Sequence, residues 1–191
     1  MAKLYFRYGT VGSAKTLNLL AVAHNYRFQN KRVVIMKPEM DVRFGTNEVR
    51  SRAGLEKPAD LLVGPETVLE DAAFAEVDCV LVDEAQFLSA NLIDQLRGLS
   101  RRMKVPVICY GLRTDFRSRL FEGSRRLMEV ADSIEEVKTT CYFCNRKAVF
   151  NLKLQDGVPT LAGPAIELGA EEKYLPACAV CYATKLESAS A

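Results

Sequence analysis

The chain holds a single histidine in 191 residues, His24. One imidazole cannot serve a Ser-His-Asp triad, a Cys-His pair and a metal site together, and no nucleophile stands beside it. It falls among Leu17, Leu20, Val22 and Tyr26 at helical spacing, which suits a solvated position on an amphipathic helix. Any general base must then be a carboxylate. Charge of one sign is missing as well: 26 Lys and Arg face 24 Asp and Glu, for a net +2. That balance gives no global reason to expect nucleic acid or an anionic membrane as partner. No apolar run approaches spanning length, and Arg7 interrupts the short one at the start, so a signal peptide and a membrane segment are not expected. A cytoplasmic location follows as the expectation. Repeats and low-complexity stretches are also lacking. What remains, 49% hydrophobic and 26% charged, is globular composition with length for a sizeable core.

In a reducing compartment the six cysteines are not expected to form disulfides. Cys79 and Cys109 lie in apolar runs and read as core residues. The other four form two pairs, Cys141-Tyr-Phe-Cys144 and Cys178-Ala-Val-Cys181. Four thiolates at this spacing hold Zn²⁺ tetrahedrally. Thirty-three residues separate Cys144 from Cys178, more than a zinc finger uses, which predicts a ribbon with a long inserted loop. A redox Cys-x-x-Cys is the rival, but neither pair is expected to open a helix after a strand in a thioredoxin-like unit. A nucleic-acid ribbon is the second rival, and Arg146, Lys147, Lys153 and Lys173 make no dense basic face for it.

Apolar runs predict strands over Leu4–Tyr8, Arg32–Met36, Asp60–Val63, Cys79–Val82, Pro106–Tyr110 and Ser133–Val137. Helices are expected over Ala14–Asn30, Pro65–Ala75, Ala90–Met103 and Arg117–Met128, and a long loop or a broken helix over Asp41–Lys57. Such alternation predicts an α/β fold with a mainly parallel sheet and right-handed crossovers. After about Thr140 turn residues, the short strand-like piece Lys147–Leu154 and the Cys pairs replace that rhythm. The expected organisation is residues 1–139 as a P-loop α/β domain, 140–186 as a zinc ribbon, and 187–191 as a frayed tail.

Directly after the first strand stands Gly9-Thr10-Val11-Gly12-Ser13-Ala14-Lys15-Thr16. The phosphate-loop pattern is G-x-x-x-x-G-K-S/T between strand and helix, and only the second glycine is absent, replaced by Ala14. Backbone N–H groups of such a loop face phosphate oxygens; Lys15 would reach the β- and γ-phosphates, and Thr16 would ligate Mg²⁺. The Ala14 methyl is expected to crowd the phosphates, while helix propensity makes Ala14→Gly slightly destabilising, by under about 1 kcal/mol. About seventy residues on, Val80-Leu-Val82-Asp83-Glu84-Ala85-Gln86-Phe87 is an apolar strand ending in two carboxylates, a Walker B arrangement. Asp83 would hold the Mg²⁺ shell and leave Glu84 to act on a nucleophile.

Together with Lys37-Pro-Glu-Met-Asp41-Val-Arg43-Phe44, Tyr110-Gly-Leu-Arg-Thr-Asp-Phe116 and Gly169-Ala-Glu-Glu-Lys-Tyr174 between the Cys pairs, these motifs resemble the thymidine kinases of the small tetrameric type. The resemblance spans essentially the whole chain, departing from the family pattern at Ala14 and Ala170. It implies a RecA-like P-loop domain whose zinc ribbon carries a lasso loop. It also implies transfer of the γ-phosphate of ATP, with Mg²⁺, to the 5′-hydroxyl of thymidine, with deoxyuridine as a further acceptor. Glu84 would be the general base and Arg43 would approach the transferred phosphate. Phe87, Leu112, Phe116, Phe121 and Tyr174 match the family's nucleoside pocket, with Asn151 near the thymine methyl. Main-chain groups of Ala165, Ile166, Glu167, Leu168 and Gly169 would read the base edge. Inhibition by thymidine triphosphate and a homotetramer come with the resemblance too. A P-loop ATPase, with Glu84 activating water and the ribbon binding nucleic acid or a protein, competes; it has no use for Gly111–Phe116 or Tyr174. A catalytically weakened regulator is suggested by Ala14 alone.

Overall fold

In Cys79-Val-Leu-Val82 four successive apolar residues are all buried, so both faces of this strand need cover. The computed structural model supplies it; residues 2–42, 45, 47–166 and 173–190 are described. In chain order the elements of the larger part are β1 (Leu4–Tyr8), α1 (Lys15–Phe28), β2 (Val33–Pro38), β3 (Glu48–Arg50), β4 (Glu56–Pro58), β5 (Leu61–Val63) and β6 (Cys79–Val82). They continue with α2 (Ala90–Met103), β7 (Val107–Gly111), α3 (Glu122–Val130) and β8 (Ser133–Glu136). Six strands form one parallel sheet in the order β5-β2-β6-β7-β1-β8. Alternate side chains divide its two faces. Cys79 and Leu81 join Ile35, Ile108 and Tyr110 under Leu19, Leu20 and Ala23 of α1. Val80 and Val82 join Phe6, Val107 and Cys109 under Leu92, Leu96 and Leu127 of α2 and α3. Each buried Leu or Phe contributes roughly 1.5–3 kcal/mol.

Three expectations are corrected. Pro65–Ala75 is not a helix but extended chain with one 3-10 turn at Asp71–Phe74. Gln95 of α2 satisfies that backbone, accepting from Leu69 N at 2.8 Å and donating to Thr67 O at 3.1 Å. The helix expected from Arg117 starts at Glu122, because the Asp115 carboxylate captures the N–H groups of Arg117 and Arg119, each at 2.9 Å. Within Asp41–Lys57, expected as a loop or a broken helix, β3 and β4 pair antiparallel, Val49 opposite Lys57.

The remainder is a three-stranded antiparallel sheet, β10-β9-β11, from β9 (Phe150–Gln155), β10 (Val158–Pro159) and β11 (Tyr174–Ala177), followed by α4 (Ala179–Ser190). The chain is thus helical through Ser190 where a frayed tail was expected. Cys141, Leu152, Ala177 and Cys178 form the buried centre here, with Phe143, Leu154 and Tyr182 packed around them. His24 is exposed and stacks on Phe28 with ring centroids 6.4 Å apart, as a solvated helix position requires. Among the described residues no helix is long and apolar enough to cross a membrane.

Candidate active site

β6 and β1 flank β7, and ligands of open parallel sheets bind outside the C-terminal strand ends. The loop after β1 curls through two left-handed residues, Gly12 at φ +71° and Ala14 at φ +61°. Glycine adopts that conformation freely, whereas an alanine there costs about 1–2 kcal/mol. Ala14 precedes the helix as its N-cap rather than lying in it. At such a position backbone strain, not helix propensity, is expected to govern Ala14→Gly. Lys15 is buried, and its Nζ donates to Thr10 O at 2.7 Å and to Ser13 Oγ at 3.3 Å. Thr10 Oγ1 is buried with no partner among the described residues.

The strand-borne carboxylates meet this loop. Thr16 Oγ1 donates toward both Asp83 oxygens, at 3.2 and 3.1 Å. A hydroxyl and a carboxylate so joined beside a buried ammonium are the donor set of a hard cation carrying phosphate oxygens. Glu84, at φ +49°, is a left-handed non-glycine residue, and such strain gathers at functional sites. Its carboxylate accepts from the side-chain amide of Gln86, whose Oε1 accepts from Leu112 N at 3.0 Å. A cleft of about 380 Å³ opens above, lined by Ser13, Lys15, Thr16, Asp83, Glu84 and Leu112, with Asp41 and residues 48–53 on its far side.

The aromatic residues expected at a nucleoside come together in pairs, though among the described residues expected in the pocket only Leu112 lines the cleft. Phe87 meets Phe121 edge to face at 5.7 Å, and Phe116 lies 6.1 Å from Tyr174. Phe116 is only 1% exposed. Its ring has the Arg117 guanidinium and the Lys153 ammonium each 4.9 Å from its centroid. The same two cations donate to three consecutive carbonyls: Arg117 to Leu161 and Gly163, and Lys153 to Ala162 at 3.3 Å. Asn151 is buried with its amide committed to main chain, Oδ1 accepting from Val11 N at 2.9 Å and Nδ2 donating to Thr114 O at 3.0 Å. It thus ties the phosphate loop to β9. Ala165 and Ile166 are exposed and do not line the cleft. Arg43, Glu167, Leu168 and Gly169 lie outside the described residues.

Roles for Gln86, Arg117 and Lys153 escaped the sequence reading. The alternation Asn151-Leu-Lys153-Leu does put Asn151 and Lys153 on one face of β9, a signal that could have drawn Lys153 to notice.

The four paired cysteines converge, their sulfurs all within 4.8 Å of one another. Cys144 Sγ lies 3.7 Å from the sulfurs of both Cys178 and Cys181. A tetrahedron of Zn–S bonds near 2.3 Å has edges of about 3.8 Å. Main-chain N–H groups of Phe143 and Cys181 point at Cys141 Sγ and Cys178 Sγ, each at 3.4 Å, as they do toward metal-bound thiolates. Burial raises the Cys141 thiol, but main-chain and thiol donors prevail and bring it down to about 7; hydrogen bonding with Cys178 holds Cys181 up. Four sulfurs this close could together hold one metal ion. Cys178 and Cys181 straddle the end of β11 and the start of α4. The redox reading still fails on geometry, since β11 pairs antiparallel with β9 and the sulfurs face the other Cys pair. Burial pushes Cys79 up to about 12 and Cys109 higher still, so both stay as core thiols.

A phosphate loop facing a strand-delivered Asp-Glu pair, under a cysteine-pinned sheet, defines a P-loop nucleotide-binding protein. A sequence model of the thymidine kinase family matches residues 2–182. The thymidine kinase of Lactiplantibacillus plantarum is 43% identical over 180 residues, covering 93% of this chain and 94% of that one. Those of Enterococcus faecalis and Lactococcus lactis subsp. lactis are 42% and 41% identical, again over 93% of this chain and over 93% and 95% of theirs. The chain belongs to the thymidine kinase family, an enzyme of the deoxynucleoside kinase class. Among solved structures, the Pif1 helicase of Candida albicans superposes on 71% of this chain and 36% of its own, with a TM-score of 0.43 and 11% identity. That likeness is too slight to carry a conclusion.

Proposed function

We propose that the protein transfers the γ-phosphate of ATP to the 5′-hydroxyl of thymidine, with Glu84 as general base. The observation that carries this beyond family membership is the meeting of Thr16 with Asp83 in the cleft that Lys15 and Glu84 also line. Mg²⁺, held by Thr16 and Asp83, would neutralise charge on the β- and γ-phosphates. Lys15 exchanges a carbonyl and a hydroxyl for phosphate oxygens, which are stronger acceptors for an ammonium. Glu84 stands at the strand edge next to Asp83 and takes the proton of the attacking hydroxyl. Arg43 is assigned to the transferred phosphate by its motif.

Residues 1–139 act as the nucleotide-binding unit and 140–186 as a zinc ribbon, with Cys141, Cys144, Cys178 and Cys181 as ligands. Phe116, Tyr174, Phe87, Phe121 and Leu112 receive the nucleoside, and residues 165–169 read the base. The ribbon is assigned to the nucleoside by resemblance, and Asn151 of its β9 also bonds the phosphate loop. A cytoplasmic salvage role, a homotetramer and inhibition by thymidine triphosphate complete the proposal by resemblance. The test is incubation with ATP, Mg²⁺ and thymidine. ADP release that requires thymidine is expected. Equal release without nucleoside would instead support the ATPase, and nucleotide binding without turnover would support the regulator.

A further inference from the structure

We propose that Gln86 is a positioning residue that aims the Glu84 carboxylate and couples it to the main chain that receives the nucleoside. The inference rests on Glu84 as base. Gln86 is 1% exposed, and both ends of its amide are engaged. The Leu112 N–H can be met only by the amide oxygen, so the NH₂ must face Glu84, whose carboxylate can only accept. Chemistry thus fixes which way the amide points.

Glu84 has three rotatable side-chain bonds, and a base must sit within about 2.6–3.2 Å of the hydroxyl it deprotonates. An amide holding Oε2 sets the plane of the carboxylate and so the direction of Oε1. The other end of the amide is held just as firmly. Leu112 lines the cleft; its N–H goes to Gln86, and its carbonyl accepts from Ser124 Oγ at 2.5 Å. Gly111 completes the arrangement: a Cβ there would stand 2.7 Å from Gln86 Oε1 and 3.0 Å from its backbone N. Only a glycine leaves the amide its place. Among the hydrogen bonds described, Gln86 is the side chain that joins the base to Leu112. A nucleoside seated on Leu112 therefore bears on the aim of Glu84.

The experiment is a double-mutant cycle read by the single-turnover rate of phosphoryl transfer. Gln86→Met keeps length and burial but removes both hydrogen bonds. It is expected to slow transfer about 10- to 100-fold while leaving the KM for ATP within about threefold. In a Glu84→Gln background the same change should add less than about threefold, because a residue acting through the base has nothing left to act on. A near wild-type rate for Gln86→Met overturns the proposal. So does an equal loss in both backgrounds, which would make Gln86 a packing residue. If Glu84→Gln itself turns over normally, the assignment of the base fails, and that result is distinct. Should Gln86→Met melt at the assay temperature, Gln86→Asn keeps the amide yet is too short to span both partners. The same slowing is expected of it, and a wild-type rate would again overturn the proposal.

Discussion

Strand ends hold the cleft groups Lys15, Thr16 and Asp83, whereas side chains reaching main-chain atoms hold the cluster around Phe116, which is not part of the cleft lining. Lys15, Thr16 and Asp83 stand where β1 and β6 end, on a sheet whose central strands are wholly buried. Phe116 and residues 161–163 depend on Arg117, Lys153 and a cysteine cluster drawn from sequence positions far apart. The sheet side can lose one contact and keep its frame. The other side is a small sheet with a small core, so each tie should matter separately.

The sharpest way to separate the halves is Glu84→Gln, which keeps shape and removes the base. Turnover should fall about 10²- to 10⁴-fold with thymidine affinity little changed, as turnover assays and calorimetry would show. Next, Cys141→Ser with Cys144→Ser should abolish metal retention and raise the KM for thymidine about tenfold or more, far more than that for ATP. Metal analysis and two substrate titrations check this; equal loss for both substrates would mean that the halves are not separable. Lys153→Met removes one of the two cations on Phe116 and frees the Ala162 carbonyl. A rise of roughly three- to tenfold in the thymidine KM, partly rescued by Lys153→Arg, is expected. An unchanged KM would leave Arg117 as the sufficient tie. The smallest effect belongs to Ala14→Gly: about 1 kcal/mol of added stability, read as a rise of about 2–4 °C in Tm, with tighter ATP binding. A lower Tm would show that the left-handed turn is not strained.

The same contrast governs what was legible in the sequence. β1, β6 and α2 stand at their expected limits, because apolar runs and helical periodicity are local signals. The phosphate loop, Asp83-Glu84 and the cysteine quartet were legible for the same reason: their chemistry is written in short spacings. The misread pieces answer to particular side-chain partners that periodicity does not reveal. Pro65–Ala75 is kept from helix by Gln95, and Arg117–Phe121 by the neighbouring Asp115 carboxylate. Lys153 reads as a surface cation in a strand, and only Phe116, 37 positions away, makes it a buried one. Asn151, expected at the thymine methyl, spends its amide on Val11 and Thr114, which no spacing announces.

β7 stands between the strand that carries the phosphate loop and the strand that carries Asp83. Neighbouring strands are about 4.8 Å apart, so those two strand ends are spaced by about 9.6 Å. That distance is a ruler made of backbone hydrogen bonds. Insertions in either loop slide groups along the strands or lift them off the sheet, but cannot widen the gap across it. Thr16 and Asp83 reach over the spacer from opposite sides and touch. The gap that Thr16 and Asp83 bridge is therefore fixed by strand order, and variation in this architecture is confined to what is laid on top of it.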